Sequence, residues 1–458
     1  MKKFNGSLTR MARLGLMVSS SVLGMVSVGS VHASATAGLL DVYQMALMND
    51  SELAAAQFQY QANQQGITTA RAALLPQVKA DGGYNVADST VDSADVNTRV
   101  LSLTLNQALY SHDSWARYEQ SKYKMEAAEY TFKTAQQKLI LTVTESYFNV
   151  LLAEENLKLF KAKEEADKNQ LERAEASAEV GLASRVDVLQ AKSSYDLSKS
   201  DRINGENSVD QAYEALMKLT GEPLTALKVL PSSSDLPVVT MNLVEVEAKA
   251  ESNNLSVKEA SANLQSAQKE IDVQKSGYWP TVGFEAKYTD AAYSGYKTTP
   301  PNNFRDRDTT SFGVNATWAL YSGGATDSQV SAARFQSNAE QQSLRNFREM
   351  ARLDARVQVR TLKRGEDLVD ALREAVKSND AFLEAAEEGY RVGLKSLLEV
   401  LTARTNQYNA RNNLLEAIHA QVLTNLKLES TLGDLTVDDL MVFDRLLQEP
   451  VAMAKPEA

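Results

Sequence analysis

Two stretches decide how the chain folds: Pro76-Gln77-Val78-Lys79-Ala80-Asp81-Gly82-Gly83-Tyr84-Asn85-Val86 and, 204 positions further on, Pro280-Thr281-Val282-Gly283-Phe284-Glu285-Ala286-Lys287-Tyr288-Thr289. In each, apolar or small residues alternate with polar ones, the period-two signature of a strand with one dry and one wet face. Each is followed by a second alternating run. Leu101, Leu103 and Leu105 interleave with Ser102, Thr104 and Asn106, whereas Phe312, Val314, Ala316, Trp318 and Leu320 interleave with Gly313, Asn315 and Thr317. The pattern predicts four strands, at about 77–88, 98–110, 281–291 and 309–321, joined within each pair by the polar loops Asp88 to Thr98 and Asp290 to Asp308. Strands of this length and alternation suit a membrane barrel with a wet interior, the alternative being half-buried hairpins of a soluble protein.

Working outward from these runs, the whole chain repeats once. At a shift of 204, Ala46 falls on Ala250, Leu53 on Val257, Ile67 on Ile271 and Pro76 on Pro280; at 211, Ala108-Leu109-Tyr110-Ser111 falls on Ala319-Leu320-Tyr321-Ser322. At 212, Val180-Gly181-Leu182 falls on Val392-Gly393-Leu394. Two tandem repeats are expected over 34–221 and 243–434. A linker at 222–242, holding Pro223, Pro231 and Pro237, joins them in an equatorial region, and a tail follows at 435–458.

Each repeat holds long helices. No proline lies between Pro76 and Pro223 or between Pro301 and Pro450, and no glycine between His112 and Val180. A helix over His112–Val180 would be about 100 Å long at about 1.5 Å per residue. Its counterpart is Ala325–Glu388, broken only by Gly365. Second helices are expected at Ala183–Thr220 and Lys395–Leu432, and shorter leading ones at Leu39–Leu74 and Leu243–Ser276. The distal run Lys158 to Glu179 carries five basic and six acidic side chains and reads as a solvated face, with alanines forming the packing seam. Ile140, Val143, Tyr147, Val150 and Leu151 mark better-buried packing.

Composition narrows the function. The absence of cysteine removes disulfides, thiolate zinc sites and cysteine nucleophiles. Residues 1–33 carry Lys2, Lys3, Arg10 and Arg13, an apolar stretch and a Val31-His32-Ala33 end, the pattern of a signal peptide rather than of a membrane anchor. Removing those four basic residues leaves 44 Lys plus Arg against 59 Asp plus Glu, so nucleic acid is disfavoured as a partner. No later stretch is long and apolar enough for a spanning helix, which leaves closed β-strands as the way into a membrane. Four strands cannot close a barrel alone, so several chains must pool them. Twelve strands from three chains leave an aqueous bore; eight from two mostly fill with side chains.

The duplicated unit of helix, strand, strand, long helix, Val-Gly-Leu turn and helix resembles the TolC family of outer-membrane channel proteins over about residues 38 to 440. The residues that carry the resemblance are Leu74-Leu75-Pro76 and Tyr278-Trp279-Pro280 before the strands, the Ala-Leu-Tyr-Ser words and the paired Val-Gly-Leu turns. It implies a mostly helical α+β fold: a homotrimer with a 12-stranded transmembrane β-barrel in outer-membrane lipid and a tunnel of long antiparallel coiled-coil helices across the periplasm. It implies as partners a periplasmic adaptor (membrane fusion) protein and an inner-membrane pump or ABC transporter. The family's entrance gate would map onto Asp187, Tyr390, Lys395 and Glu399, with Lys395 in place of an arginine and Thr402 in place of a second acid of the ring. No cysteine follows the expected cleavage site, unlike the lipid-anchored branch.

Other chemistry lacks support. Ser322-Gly323-Gly324 precedes a helix but no Lys-Ser/Thr completes a phosphate loop. His112 and His419 are far apart, and no catalytic constellation accompanies the many acids and serines. The expectation is a non-enzymatic exit duct for an efflux pump or type I secretion system, without cofactor or metal. A soluble periplasmic coiled-coil adaptor or scaffold is the alternative.

Overall fold

Short polar side chains set where the helices begin. Asp50 lies between α1 (Leu39–Asn49) and α2 (Ser51–Ala72), and its carboxylate accepts from the Leu53 N–H at 2.6 Å. Asn254 lies between α5 (Leu243–Asn253) and α6 (Leu255–Lys275), its side-chain oxygen accepting from the Ser256 and Val257 N–H groups. These caps correct the expectation of unbroken helices over Leu39–Leu74 and Leu243–Ser276. An Asp or Asn oxygen that satisfies the first free N–H groups of a new helix favours a break there, and the two breaks are equivalent positions of the repeat. Elsewhere the helices run on. α3 (His112–Glu179) has 68 residues and α7 (Ala325–Arg391) 67. They are partnered by α4 (Arg185–Thr220) and α8 (Leu397–Thr431), and a short α9 (Val437–Asp444) stands in the expected tail.

The computed structural model describes residues 36–87, 96–231, 234, 237, 242–295 and 305–449. The expected signal peptide, the middles of both strand loops, much of the linker and the end of the tail lie outside the described residues.

Strands β1 (Gln77–Ala87), β2 (Val96–Tyr110), β3 (Thr281–Ser294) and β4 (Arg307–Thr317) form one antiparallel sheet in sequence order. β4 ends at Thr317 rather than near residue 321. Its last ladder partner is Thr281, and Pro280 beyond it has no N–H to donate. The Trp318 indole N–H instead donates to the Tyr278 carbonyl at 3.1 Å. The register keeps the two faces separate. Val78, Leu105, Ala286 and Phe312 share one rung, and Ala80, Leu103, Tyr288 and Thr310 the next on the same face. Between them on the opposite face lie Lys79, Thr104, Lys287 and Ser311.

The helices nearest the sheet keep its lateral order: α2 packs on α3, α3 on α6 and α6 on α7. Beyond them α4 pairs with the far part of α3, and α8 with that of α7. The largest core lies at the level where these arrangements meet. Leu39, Val42, Val143, Tyr147, Phe148, Leu151, Ile418, Val422 and Leu440 bury together, drawing on α1, α3, α8 and α9. The Tyr147 hydroxyl donates to the Lys228 carbonyl at 2.8 Å and lies 3.2 Å from that of Ala37, anchoring the segment between the repeats.

Candidate entrance site at the helical tips

The two hairpins end in turns built alike. After α3, Leu182 N–H bonds back to Ser177 O at 2.8 Å, and after α7, Leu394 N–H bonds back to Gly389 O at 2.8 Å. Gly181 and Gly393 take φ of 76° and 77°, the left-handed conformation that such a helix end requires and that other residues resist. The next helix is then capped reciprocally. Ser184 O–H and N–H both donate to Asp187 Oδ2, at 2.8 and 2.9 Å, while Ser396 O–H and N–H donate to Glu399 Oε2 at 3.0 and 2.8 Å. Asp187 and Glu399 are thus matching members of two capping boxes, a role that any solvated helix start could use.

Glu399 has a further partner, Lys395 Nζ at 2.6 Å from Oε1. This charge-assisted bond, followed by the two Ser396 bonds, holds its carboxyl well below the usual range, to about 2. The Lys395 stem lies against Gly389, where a Cβ would approach its Cγ to 2.6 Å. Tyr390 is half-buried and bridges two apolar patches, Ala174, Ala191, Leu397 and Leu401 on one side and Ala386, Val400 and Ala403 on the other. Lys395, Glu399 and Tyr390 therefore share one hairpin end, and Val188, one residue from Asp187, packs on the first patch. Within the chain the Tyr390 hydroxyl makes no hydrogen bond among the described residues, and the Asp187 side chain bonds only to Ser184, leaving Oδ1 without a partner there.

Sequence reasoning missed Arg404. It was not among the expected gate residues, and Asp167, its partner, fell in the run read as a solvated face. In fact Asp167 and Gln170 are buried. Arg404 reaches Asp167 of α3 at 3.2 Å and Glu387 of α7 at 2.8 Å. The available signal was a heptad step: Arg404 and Arg411 stand seven residues apart on α8, and their partners Glu387 and Asp380 seven apart on α7.

This geometry of long paired helices on a four-stranded sheet has known counterparts. The sequence profile of the outer membrane efflux protein family matches residues 42–222 and 247–434, more than half of the chain. The chain belongs to that family. It is 31% identical over 436 residues to the outer membrane protein TolC of Vibrio cholerae, covering 94% of this chain and 98% of that one. It is 27% identical over 438 residues to the proteases secretion protein PrtF of Dickeya chrysanthemi, with 92% and 93% covered. The CmeC outer membrane channel of Campylobacter jejuni has the same fold at a TM-score of 0.74 and 17% identity, over 91% of this chain and 90% of that one. The family member described here is an outer-membrane exit channel, extending into the periplasm, of the kind that serves efflux and type I secretion, and it is not an enzyme.

Proposed function

We propose that three copies of the chain close into one duct, a 12-stranded barrel in outer-membrane lipid continued by a tunnel of helices. One observation carries this reading: the sheet has two open edges, β1 and β4, and its apolar face lies bare, with Phe312 72%, Val314 62% and Val78 64% exposed. A four-stranded sheet with unpaired edges and an uncovered apolar face is not a finished soluble structure. Joining β4 of one copy to β1 of the next completes the ladders. It also continues the lateral order α2, α3, α6, α7 into the next α2.

The partners follow from the tips. Val180, Leu182, Val392 and Leu394 are 65–84% exposed at the two turns, four apolar side chains at the end remote from the sheet. Such an apolar rim suits end-on docking by a periplasmic adaptor protein, which connects the duct to an inner-membrane pump or ABC transporter supplying the energy. The entrance itself is proposed to lie at this level. Asp187 Oδ1 would accept from Tyr390 or Lys395 of a neighbouring coil, and Glu399 of each copy would form a ring attracting cations. Residues 1–33 would act as the export signal, with 34–221 and 243–434 as the two repeats.

Membrane fractionation followed by an unheated gel tests the assembly. The expected result is outer-membrane protein migrating as a trimer that collapses to a monomer on heating. Recovery as a soluble periplasmic monomer overturns it and favours the scaffold alternative.

A further inference from the structure

We infer that Arg404 is a latch between the two hairpins, a positioning residue that keeps α8 seated on α3 just behind the entrance. The inference rests on the reading of the tips as the entrance and adds a residue that the tip itself does not contain.

The two hairpins, α3 with α4 and α7 with α8, meet strongly in the central core, where Phe148 of α3 packs against His419 of α8 with ring centres 5.0 Å apart. They meet again at the tip through a patch of two alanines and two leucines. Between these levels stands Arg404, its side chain 10% exposed, bonded to Asp167, whose side chain is 3% exposed. It is the most buried ion pair among the described residues. Its burial neighbours Lys163–Asp201 and Arg202–Glu164 stay within the first hairpin, and Arg411–Asp380 within the second. Arg404 instead divides its guanidinium: Nη1 goes to α3 of one hairpin and Nη2 to α7 of its own.

This division gives the pair its direction. When the α7/α8 hairpin swings away as a unit, Arg404 keeps Glu387 and loses Asp167. Opening therefore gives up a well-buried charge-assisted contact, and without Arg404 the closed seating would instead bury an unpaired Asp167 carboxylate, which is strongly unfavourable, so the closed seating depends on the pair. The apolar patch ends one turn away, at Leu401, and from there inward Arg404 is, among the described residues, the contact between α8 and α3 that carries charge. The space beside it is a cleft of about 310 Å³ whose lining mixes Lys163, Ser194, Asp201 and Thr405 with Leu197 and Leu401. Gln170, one turn from Asp167, leaves its buried Nε2 without a partner, so it adds no second polar tie between the hairpins. Glu399 lies five residues from Arg404 on α8, about 7.5 Å along the axis, near enough for loss of the seating to move the entrance.

Single-channel recording of the purified full-length protein in planar bilayers tests the latch. Arg404→Met keeps the bulk and removes the charge; it is expected to raise resting conductance several-fold. Arg404→Met combined with Asp167→Leu removes the stranded carboxylate and puts an apolar contact between α8 and α3 where the ion pair stood, so conductance should return to the parent level. An unchanged Arg404→Met channel overturns the proposal, as does a leak that Asp167→Leu fails to reverse, because lost packing is then the cause. A fall in thermal stability with unaltered conductance shows a structural role only and also overturns it. Should Arg404→Met fail to assemble, Arg404→Lys replaces it, since an ammonium keeps the charge but not the two-way reach, and the same outcomes apply. Tyr390→Phe with Lys395→Ser is the reference. If that pair leaks and Arg404→Met does not, the latch fails while the entrance reading stands; if neither leaks, both fail.

Discussion

Glu399 uses its two oxygens for different purposes. Oε2 closes the capping box at the start of α8, and Oε1 takes the Lys395 ammonium. Both favour the charged form, so the folded-state value of about 2 lies below that of the unfolded chain. A lowered acid contributes stability that is complete above the unfolded value, about 4.3, and is lost only as pH falls through the folded one. The charge at the proposed entrance should follow the same window. The difference in cation-over-anion permeability between the parent channel and Glu399→Gln is expected to persist from pH 7 down to about pH 3. Removing the larger cause with Lys395→Ser should move that titration up towards an ordinary glutamate. A parent channel whose Glu399-dependent selectivity is half gone near pH 4.3 would contradict this account. Asp187, the same capping position in the first repeat, has Ala183 where Glu399 has Lys395, and so lacks this cation.

At the scale of the elements, alternation and repetition reached far. Period-two runs located all four strands, and the absence of proline located both long helices, with the absence of glycine adding to it in α3 alone. Serine followed three residues later by an acid, at 184–187 and 396–399, was a readable pair of capping boxes. Asp50 and Asn254 were readable as caps too, but uninterrupted helical composition on both sides concealed the breaks. The pairing of Arg404 with Asp167 was not legible. Their burial depends on how α8 lies against α3, a contact between residues 237 apart that no local pattern encodes. A similar long-range contact gives Gly433 its importance. Its φ is 75°, and a Cβ there would run into the backbone carbonyl oxygen of Asn253, at the break between α5 and α6. Gly181 has φ 76° but open space around it. Gly181→Ala should therefore cost only the left-handed penalty, about 1–2 kcal/mol. Gly433→Ala adds a backbone collision, and its loss should clearly exceed that. Thermal melting of the detergent-solubilised protein distinguishes them, and equal shifts would remove the close approach as a cause.

The sheet links the single chain to the assembled duct, because its two faces make opposite demands on neighbouring residues. Leu103 stands between Ala80 and Tyr288 on the apolar face, and Thr104 between Lys79 and Lys287 on the polar one. Along β3 the apolar face continues from Val282 to Tyr288 and gives way at Asp290, which pairs with Arg99 at 3.3 Å. The charges end a band of roughly 25 Å of strand at about 3.3 Å per residue, which at a tilt of about 40° covers roughly 19 Å of the height of a barrel's lipid-facing belt. An arginine at position 103 would face hydrocarbon near the middle of that band, at a cost of about 2–4 kcal/mol per chain, whereas at 104 it would face the water-filled bore. Leu103→Arg should therefore sharply reduce the heat-modifiable trimer recovered from outer membranes, and Thr104→Arg should leave it near the parent amount while altering ion selectivity. A sheet folded back on its own helices in a soluble molecule would give a different result. Its apolar face would be covered by protein, no lipid band would exist, and Thr104→Arg would leave ion flow across a bilayer untouched. Equal assembly of the two variants would thus count against a membrane barrel made by pooling strands from several chains.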